Sequence, residues 1–282
     1  MLLSLLLLLT FAIPSAQAAK TTDAVVNASD GVPIHYSVQG TGEPALVFVH
    51  CWNCDRNLWE NQVAEFSKKH RVVTIDLPGH GKSGQDRKNW SIESYGEDVK
   101  TVVTKLDLKR VVLVGSSMGG PISIEAARRM PDRVVGLVPV DTLQNIESKV
   151  PPEQLEAVFK QLQADYKTAV TGILNQLFFG PKTPAAVKAR VIAETTARPP
   201  ELALTILKAI FSYDSAPALR EIKVPIRAIN ADLVPTDLQV NRKYAPQFDA
   251  VVMEGSGHYP MLEDPVTFNR HLAEFLQSLP RK

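Results

Sequence analysis

Cysteine is scarce in this sequence, whose 282 residues include only Cys51 and Cys54. Zinc bound by this pair together with His50 and Asp55 is the weaker alternative, because the second Cys or His pair of the usual zinc sites is missing. A thioredoxin-like redox role would require a thioredoxin-like fold around the Cys-x-x-Cys motif, which the rest of the sequence does not support. We therefore expect a disulfide or two unreacted thiols, and no metal.

An excess of either charge is also missing: 31 basic residues stand against 30 acidic ones, so the formal net charge is +1. A basic patch or a strongly basic composition is typical of proteins that bind nucleic acids or anionic membranes. The near balance gives no reason to expect either partner. The 282 residues are enough for one α/β domain with an insertion and a core that needs no additional cross-links.

The one prominent apolar run, Leu2 to Ile13, is shorter than the roughly 20 residues of a membrane-spanning helix. Ala16-Gln17-Ala18 after it has the small-x-small pattern of a signal-peptide cleavage site. We expect a signal peptide over residues 1–18 and a mature chain that is exported to the periplasm or secreted, without membrane attachment. No Lys or Arg precedes the apolar run, so an uncleaved membrane anchor is the alternative.

The stretch from Val111 to Gly120 carries the strongest chemical motif. Its first four residues are apolar and favour a buried strand, and Gly115 to Gly119 then match the pattern G-x-S-x-G with Ser117 at its centre. Apolar residues at helical spacing follow as far as Met130. A nucleotide-binding turn is the alternative, but no G-x-G-x-x-G motif is present. Ser117 is therefore predicted as a nucleophile on a sharp strand-to-helix turn.

Strands and helices alternate along most of the chain, which predicts a mostly parallel sheet covered by helices on both faces. Asp30-Gly31 lies between the first two strands and predicts a hairpin there. The predicted strands are 24–28, 33–38, 45–50, 71–76, 111–114, 134–141, 224–230 and 250–253.

The alternation stops after Asp141, where helical segments at 153–171, 185–197 and 201–211 follow one another without a strand. Such a long excursion between strands is usually functional. We interpret residues 146–216 as a helical cap between core segments 19–145 and 217–282. A substrate pocket could be lined by apolar cap residues, although packing of the cap on the core is the favoured explanation for them. The pocket candidates are His50, Phe178, Phe179 and Phe211.

A serine hydroxyl needs a base that takes up its proton, and an acid that orients this base. His258 fits the role of base, because it lies in a turn just after the last strand. Asp232 directly follows a predicted strand and is the preferred acid. Asp141, at the end of the preceding core strand, is its rival, and Asp237 is a weaker one because it is expected to cap a helix.

Motifs of one enzyme superfamily run through nearly the whole mature chain. They are Asp30-Gly31, Val49-His50, Asp76–Ser83, Gly115–Gly120, Gly257-His258 and Glu263–Pro265. In these motifs the sequence resembles the α/β-hydrolase superfamily, in particular capped bacterial esterases related to the cofactor-free haloperoxidases and perhydrolases. The resemblance implies an eight-stranded, mostly parallel sheet flanked by helices, with a helical cap inserted after the sixth strand.

The resemblance also implies roles for single residues. Ser117 would be the nucleophile, His258 the base and Asp232 the acid. The backbone N–H groups of Trp52 and Met118 would form the oxyanion hole. Relatives usually have His-Gly where this chain has His50-Cys51, and cysteine tolerates fewer backbone angles than glycine.

These observations predict an exported serine hydrolase that cleaves carboxylic esters of small substrates through an acyl-enzyme, without metal or organic cofactor. Hydrolysis of a C–C bond, a lactone or an amide, and perhydrolysis, are alternatives within the same fold. Fold alone does not fix function, so a weakly catalytic ligand-binding protein is the alternative from another class. Serine at position 117 argues against the dehalogenases and epoxide hydrolases, which use a carboxylate nucleophile there.

Overall fold

The computed structural model describes residues 21–280, so the predicted signal peptide at 1–18 lies outside the described residues. Within this range eight strands form one sheet in the order β1-β2-β4-β3-β5-β6-β7-β8. The predicted eight-stranded, mostly parallel sheet is confirmed. The strands are β1 (Thr22–Asn27), β2 (Pro33–Gln39), β3 (Ala45–Val49), β4 (Val72–Asp76), β5 (Val111–Ser116), β6 (Val134–Val140), β7 (Ile226–Ala231) and β8 (Phe248–Met253).

The hairpin at Asp30-Gly31 joins β1 to β2, and β2 runs antiparallel to its other neighbour β4. From β4 through β8 all neighbouring strands are parallel. β5 lies between β3 and β6 near the middle of the sheet. Because the carboxyl ends of parallel strands lie at one edge, the loops after β3, β5, β6, β7 and β8 share that edge.

Helices cover both faces of the sheet, and β5 shows why its residues are continuously apolar. Val111 and Leu113 pack into one core cluster, which includes buried residues of α2 (Ile92–Lys105) and α3 (Gly119–Arg129). Val112 and Val114 point to the opposite face and pack with Phe268, Leu272 and Phe275 of α11. The other core helices are α1 (Glu60–Phe66), α9 (Leu238–Tyr244), α10 (Pro260–Glu263) and α11 (Pro265–Ser278).

Between β6 and β7 the described chain forms helices only, and we call residues 146–216 the helical insertion. Predicted helix 153–171 is two helices, because Asp165 is extended and caps the second by accepting a hydrogen bond from the Thr168 N–H. The last helix continues to Glu221, beyond the predicted boundary at 216, and packs on α3. The elements are α4 (Pro152–Ala164), α5 (Tyr166–Ile173), a π-helical turn (Leu174–Phe178), α6 (Ala185–Thr196), α7 (Pro200–Ser212) and α8 (Ser215–Glu221).

Among residues 21–280, no single helix has both the length and the apolar composition to cross a membrane. Taken together α7 and α8 meet that test, but they are bent by 61° against each other.

Candidate active site

Ser117 lies on a sharp turn between β5 and α3, as predicted. Its φ of 51° lies in the left-handed region that non-glycine residues rarely adopt. A Cβ atom at Gly115 would lie 2.1 Å from the Gly119 carbonyl oxygen, and one at Gly119 would lie 2.4 Å from the Val49 carbonyl oxygen. Both glycines of the motif are therefore required by close backbone approach, and Ser117 is left partly exposed at the edge of the sheet.

His258 follows β8 and is held at both its ring and its backbone. The ring Nδ1 lies 2.5 Å from Oδ2 of Asp141, and the backbone N–H donates to the Phe178 carbonyl oxygen at 2.7 Å. The Phe178 ring meets the imidazole edge-on, with 4.4 Å between centroids. Since Nδ1–H is donated to a carboxylate, Nε2 carries the free lone pair that a general base requires.

The carboxylate bound to His258 is that of Asp141, so the prediction of Asp232 as its partner is wrong. The exposed Asp232 instead accepts a hydrogen bond from the Gly255 N–H at 2.8 Å and thereby fixes the turn after β8. Asp237 caps α9 by accepting from the Val240 N–H, as expected. The sequence contained a clue to Asp141 in its position at the end of the strand that follows the nucleophile motif.

Backbone conformation directs Asp141 toward the imidazole. Its φ is 43°, and its Oδ1 accepts hydrogen bonds from the Ala231 N–H at 2.9 Å and from the Gln144 side chain at 3.1 Å. The Ser117 N–H donates to the carbonyl oxygen of Val140, the residue before Asp141. The turn that carries Ser117 is thus hydrogen-bonded to the strand end that carries Asp141, and Asp141 in turn is bonded to the His258 ring.

The loop after β3 lies beside the turn that carries Ser117. The turn at Gly119 lies against the Val49 carbonyl oxygen, so the segments that carry Met118 and Trp52 are in contact. Neither the Trp52 N–H nor the Met118 N–H has a hydrogen-bond partner within residues 21–280. Two free N–H groups near a nucleophile can stabilise an oxyanion. Their joint role stays a proposal.

A disulfide joins Cys51 to Cys54, and it encloses Trp52 and Asn53 in a short loop. Of the alternatives that the sequence left open, the structure contains the disulfide. Among the described residues, no group of three or more His, Cys, Asp or Glu side chains is placed to hold a metal ion.

The helical insertion holds this disulfide loop from outside. The Trp52 indole N–H donates to the Ala203 carbonyl oxygen at 2.9 Å, and the Asn53 side-chain amide donates to the Tyr166 hydroxyl at 2.6 Å. Arg198 donates to the carbonyl oxygens of residues 53 and 54, both at 3.2 Å. The position of the Trp52 N–H therefore depends on both the core and the insertion.

His50 does not line a pocket, contrary to the prediction. Its side chain is completely buried, its Nδ1–H donates to the Cys51 carbonyl oxygen, and its Nε2 accepts from the Leu77 N–H at 3.0 Å. Burial lowers the pKa of His50, and burial lowers the pKa of its neighbour His80 well below the usual value. His50 is therefore a neutral link between the loops after β3 and β4.

The three predicted pocket phenylalanines have different surroundings. Phe178 contacts the His258 ring, as described above. Phe179 is nearly buried and packs near Tyr259, so it belongs to the core. Phe211 is 42% exposed and lines a surface cleft of about 630 Å³ together with Thr142 and Leu143, which follow Asp141. A pocket role is thus left as a proposal for Phe178 and Phe211 only.

Comparison with known proteins assigns the chain to a family. The chain matches the sequence model of the alpha/beta hydrolase family over residues 46–271. It is 26% identical to the pimeloyl-(acyl-carrier protein) methyl ester esterase of Sodalis glossinidius, over 87% of this chain and 98% of the relative. It is 28% identical to the non-heme chloroperoxidase CPO-A1 of Kitasatospora aureofaciens, over 88% of this chain and 97% of the relative.

Among solved structures, the chain resembles Est816, described as an N-acyl homoserine lactone degrading enzyme. The two share 26% identity with a TM-score of 0.79, over 89% of this chain and 100% of the other. The family match covers most of the sequence, and the sheet order and elbow described above agree with it. The chain therefore belongs to the alpha/beta hydrolase family and is related to the cofactor-free haloperoxidases.

Proposed function

We propose that the protein is an exported serine hydrolase that cleaves carboxylic ester bonds of small substrates through Ser117, His258 and Asp141. One observation carries the proposal: Ser117 lies on a strained turn that is hydrogen-bonded to the strand end of Asp141, and the Asp141 carboxylate binds the imidazole of His258. A serine on a strained turn, a base with a fixed tautomer and a buried acid are the parts that nucleophilic acyl transfer needs.

The reaction would proceed in two halves. His258 Nε2 takes the proton of Ser117 as Oγ attacks the carbonyl carbon, and the N–H groups of Trp52 and Met118 bind the developing oxyanion. His258 then protonates the leaving alkoxide as the C–O bond breaks, which leaves an acyl-enzyme. A water molecule, deprotonated by the same imidazole, attacks this intermediate and releases the carboxylic acid and Ser117. Asp141 stays ionised and stabilises the imidazolium in both halves.

Similarity to a methyl ester esterase supports ester bonds as the class of substrate. Lactone hydrolysis is a second candidate, which the likeness to Est816 favours. A lactone is a cyclic ester, so the same attack applies, but the leaving alkoxide stays attached to the acyl group. The two candidates differ in the shape of the substrate and not in the catalytic residues.

Export is proposed from the apolar run and cleavage pattern in residues 1–18. The Cys51–Cys54 disulfide supports it, since disulfides persist mainly in oxidising compartments. Fractionation of producing cells and determination of the amino-terminal residue test this proposal. A mature chain that begins at Ala19 outside the cytoplasm agrees with it, and an intact amino terminus in the membrane fraction contradicts it.

Hydrolysis of p-nitrophenyl esters of increasing acyl length tests the activity. The protein from Ala19 onward is compared with its Ser117→Ala variant, and N-acyl homoserine lactones are assayed beside the esters. We expect ester turnover that disappears in the variant, and the preferred acyl length then measures the size of the pocket. Equal turnover by both proteins would contradict the serine mechanism, and turnover of lactones alone would favour the second candidate.

A further inference from the structure

A partly buried group of hydrogen bonds, separate from the three proposed catalytic residues, surrounds the backbone of His258. Glu263, the last residue of α10, accepts hydrogen bonds from the Gly257 N–H at 2.7 Å and from the Tyr259 N–H at 3.2 Å. A third bond comes from the Thr183 hydroxyl at 2.8 Å. One carboxylate thus binds the backbone on both sides of His258 and also reaches the helical insertion.

Residues 178–183 of the insertion, which include Thr183, also bind the backbone of His258. The His258 N–H donates to the Phe178 carbonyl oxygen, and the Thr183 hydroxyl accepts from the Gly180 N–H at 2.8 Å. Three consecutive N–H groups, those of residues 257, 258 and 259, therefore end on acceptors. The contact is close, because a Cβ atom at Gly257 would lie 2.5 Å from the Phe178 carbonyl oxygen and 2.7 Å from Glu263 Oε1.

We propose that Glu263 is a positioning residue, which fixes the backbone of His258 to the insertion segment Phe178–Thr183 and so sets the place of Nε2 relative to Ser117. Asp141 holds the ring only at Nδ1, so a shift of the backbone beneath the ring would change that bond and displace Nε2. An ionised carboxylate suits the site because all three of its partners are donors. Charge-assisted hydrogen bonds are also about twice as strong as neutral ones.

The kinetic part of this inference rests on the proposed function. Glu263→Gln preserves the shape of the side chain but replaces one acceptor oxygen by an NH₂ group, so at least one of the three donors loses its partner. A misplaced catalytic group lowers the rate without weakening substrate binding, so we expect kcat to fall by about 10- to 100-fold while KM stays nearly constant. Glu263→Asp keeps the charge on a shorter side chain, and we expect it to restore part of kcat.

Glu254→Gln is the matched control. Glu254 is exposed and lies in the turn after β8, on the amino-terminal side of His258, whereas Glu263 lies on the carboxyl-terminal side. It is expected to keep the wild-type kcat. Should Glu263→Gln fail to fold, Thr183→Val removes one donor from Glu263 with a side chain of the same shape, and a smaller loss of kcat is expected. A folded Glu263→Gln variant with the wild-type kcat would overturn the proposal.

A spectroscopic measurement separates this inference from the proposed function. The Nδ1 proton that His258 shares with Asp141 should give a far-downfield resonance in the proton NMR spectrum, which the Asp141→Asn variant identifies by its loss. We expect Glu263→Gln to shift or broaden this resonance and Glu254→Gln to leave it unchanged. If the wild-type protein hydrolyses no ester, the proposed function fails, and an unchanged resonance in Glu263→Gln then overturns the positioning role as well.

Discussion

At the scale of single residues, two glycines differ sharply in the space around them. Gly257 is enclosed by the Phe178 carbonyl oxygen, the Gly180 nitrogen and Glu263, whereas a Cβ atom added to Gly172 in α5 would meet no atom within 4 Å. Gly257→Ala is therefore expected to destabilise the protein by about 1–3 kcal/mol and to displace His258. Gly172→Ala should stabilise it by about 0.5–1 kcal/mol, since alanine favours the helix.

Urea denaturation of the two variants beside the wild type measures these free energies of unfolding. Turnover of a p-nitrophenyl ester reports the displacement of His258, and Gly172→Ala should leave it unchanged. Equal unfolding midpoints for the two variants would show that the enclosure of Gly257 does not make an added Cβ atom destabilising.

The residue scale also shows which parts of the site the sequence could predict. The position of Ser117 on a sharp turn and that of His258 after the last strand were predictable, because a motif and a turn after a strand mark them. The carboxylate that binds His258 was not, since Asp141 and Asp232 both follow a strand directly. Which of the two carboxylates binds His258 depends on the positive φ of Asp141 and on the Ala231 N–H that fixes its carboxylate. Neither feature can be recognised in the sequence.

At the scale of elements, the disulfide loop after β3 is the part most open to experiment. The Cys51–Cys54 bond encloses Trp52, and the insertion holds the loop through Tyr166 and Arg198. Opening the disulfide should loosen the Trp52 N–H, so we expect kcat to fall while KM changes little. The loss of one oxyanion donor lowers kcat by about 100- to 1,000-fold, and this factor is the upper limit for the effect of opening the disulfide.

Ester turnover before and after treatment with a reductant measures the effect, with loss of the disulfide followed by thiol titration. The double variant Cys51→Ser/Cys54→Ser is the matched control, because its turnover should already be low and should not respond to reductant. Equal rates for reduced and oxidised wild-type protein would remove the link between the disulfide and the oxyanion hole.

Regular elements of the core were predicted well, because their apolar patterns are strong. The insertion was predicted less well. Asp165 interrupts an otherwise helical pattern by accepting a hydrogen bond from the Thr168 N–H, and polar side chains of this kind also occur inside helices. The apolar pattern of the insertion indicated burial, but it did not distinguish Phe179 in the core from Phe211 at the surface.

At the scale of the whole molecule, two buried imidazoles link stability to pH. Burial lowers the pKa of His50 and of His80 below the usual value of 6.5, so the unfolded chain binds protons at these residues more readily than the folded one. Their contribution to stability is complete above pH 6.5 and is lost as the pH falls from there toward the lower pKa of the folded state. Each imidazole adds a slope of up to about 1.4 kcal/mol per pH unit.

We therefore expect the free energy of unfolding to decrease as the pH is lowered from 8 to 5, a range of roughly three units around the free imidazole pKa. His80→Asn keeps a donor toward the Pro78 carbonyl oxygen, which the His80 ring contacts, but removes one titrating group. Its slope should be shallower than that of the wild type. Parallel pH profiles for the two proteins would mean that His80 does not contribute to the acid sensitivity.

The parallel arrangement of β5 through β8 brings together residues that lie far apart in the sequence. Ser117, Asp141 and His258 follow three different strands at one edge of the sheet, where Asp141 binds the His258 ring and the Ser117 N–H donates to the residue before Asp141. The account depends most on the identity of the acid, because the whole site is arranged around the bond between Asp141 and His258.

The most direct test compares kcat/KM for ester hydrolysis by Asp141→Asn and Asp232→Asn. Asparagine keeps the shape of each side chain, but at position 141 it removes the charge that holds the imidazole tautomer, so we expect a loss of about 10,000-fold. Asp232→Asn affects only an exposed bond to the turn after β8 and should remain close to the wild type. A large loss in Asp232→Asn together with an active Asp141→Asn would contradict the account.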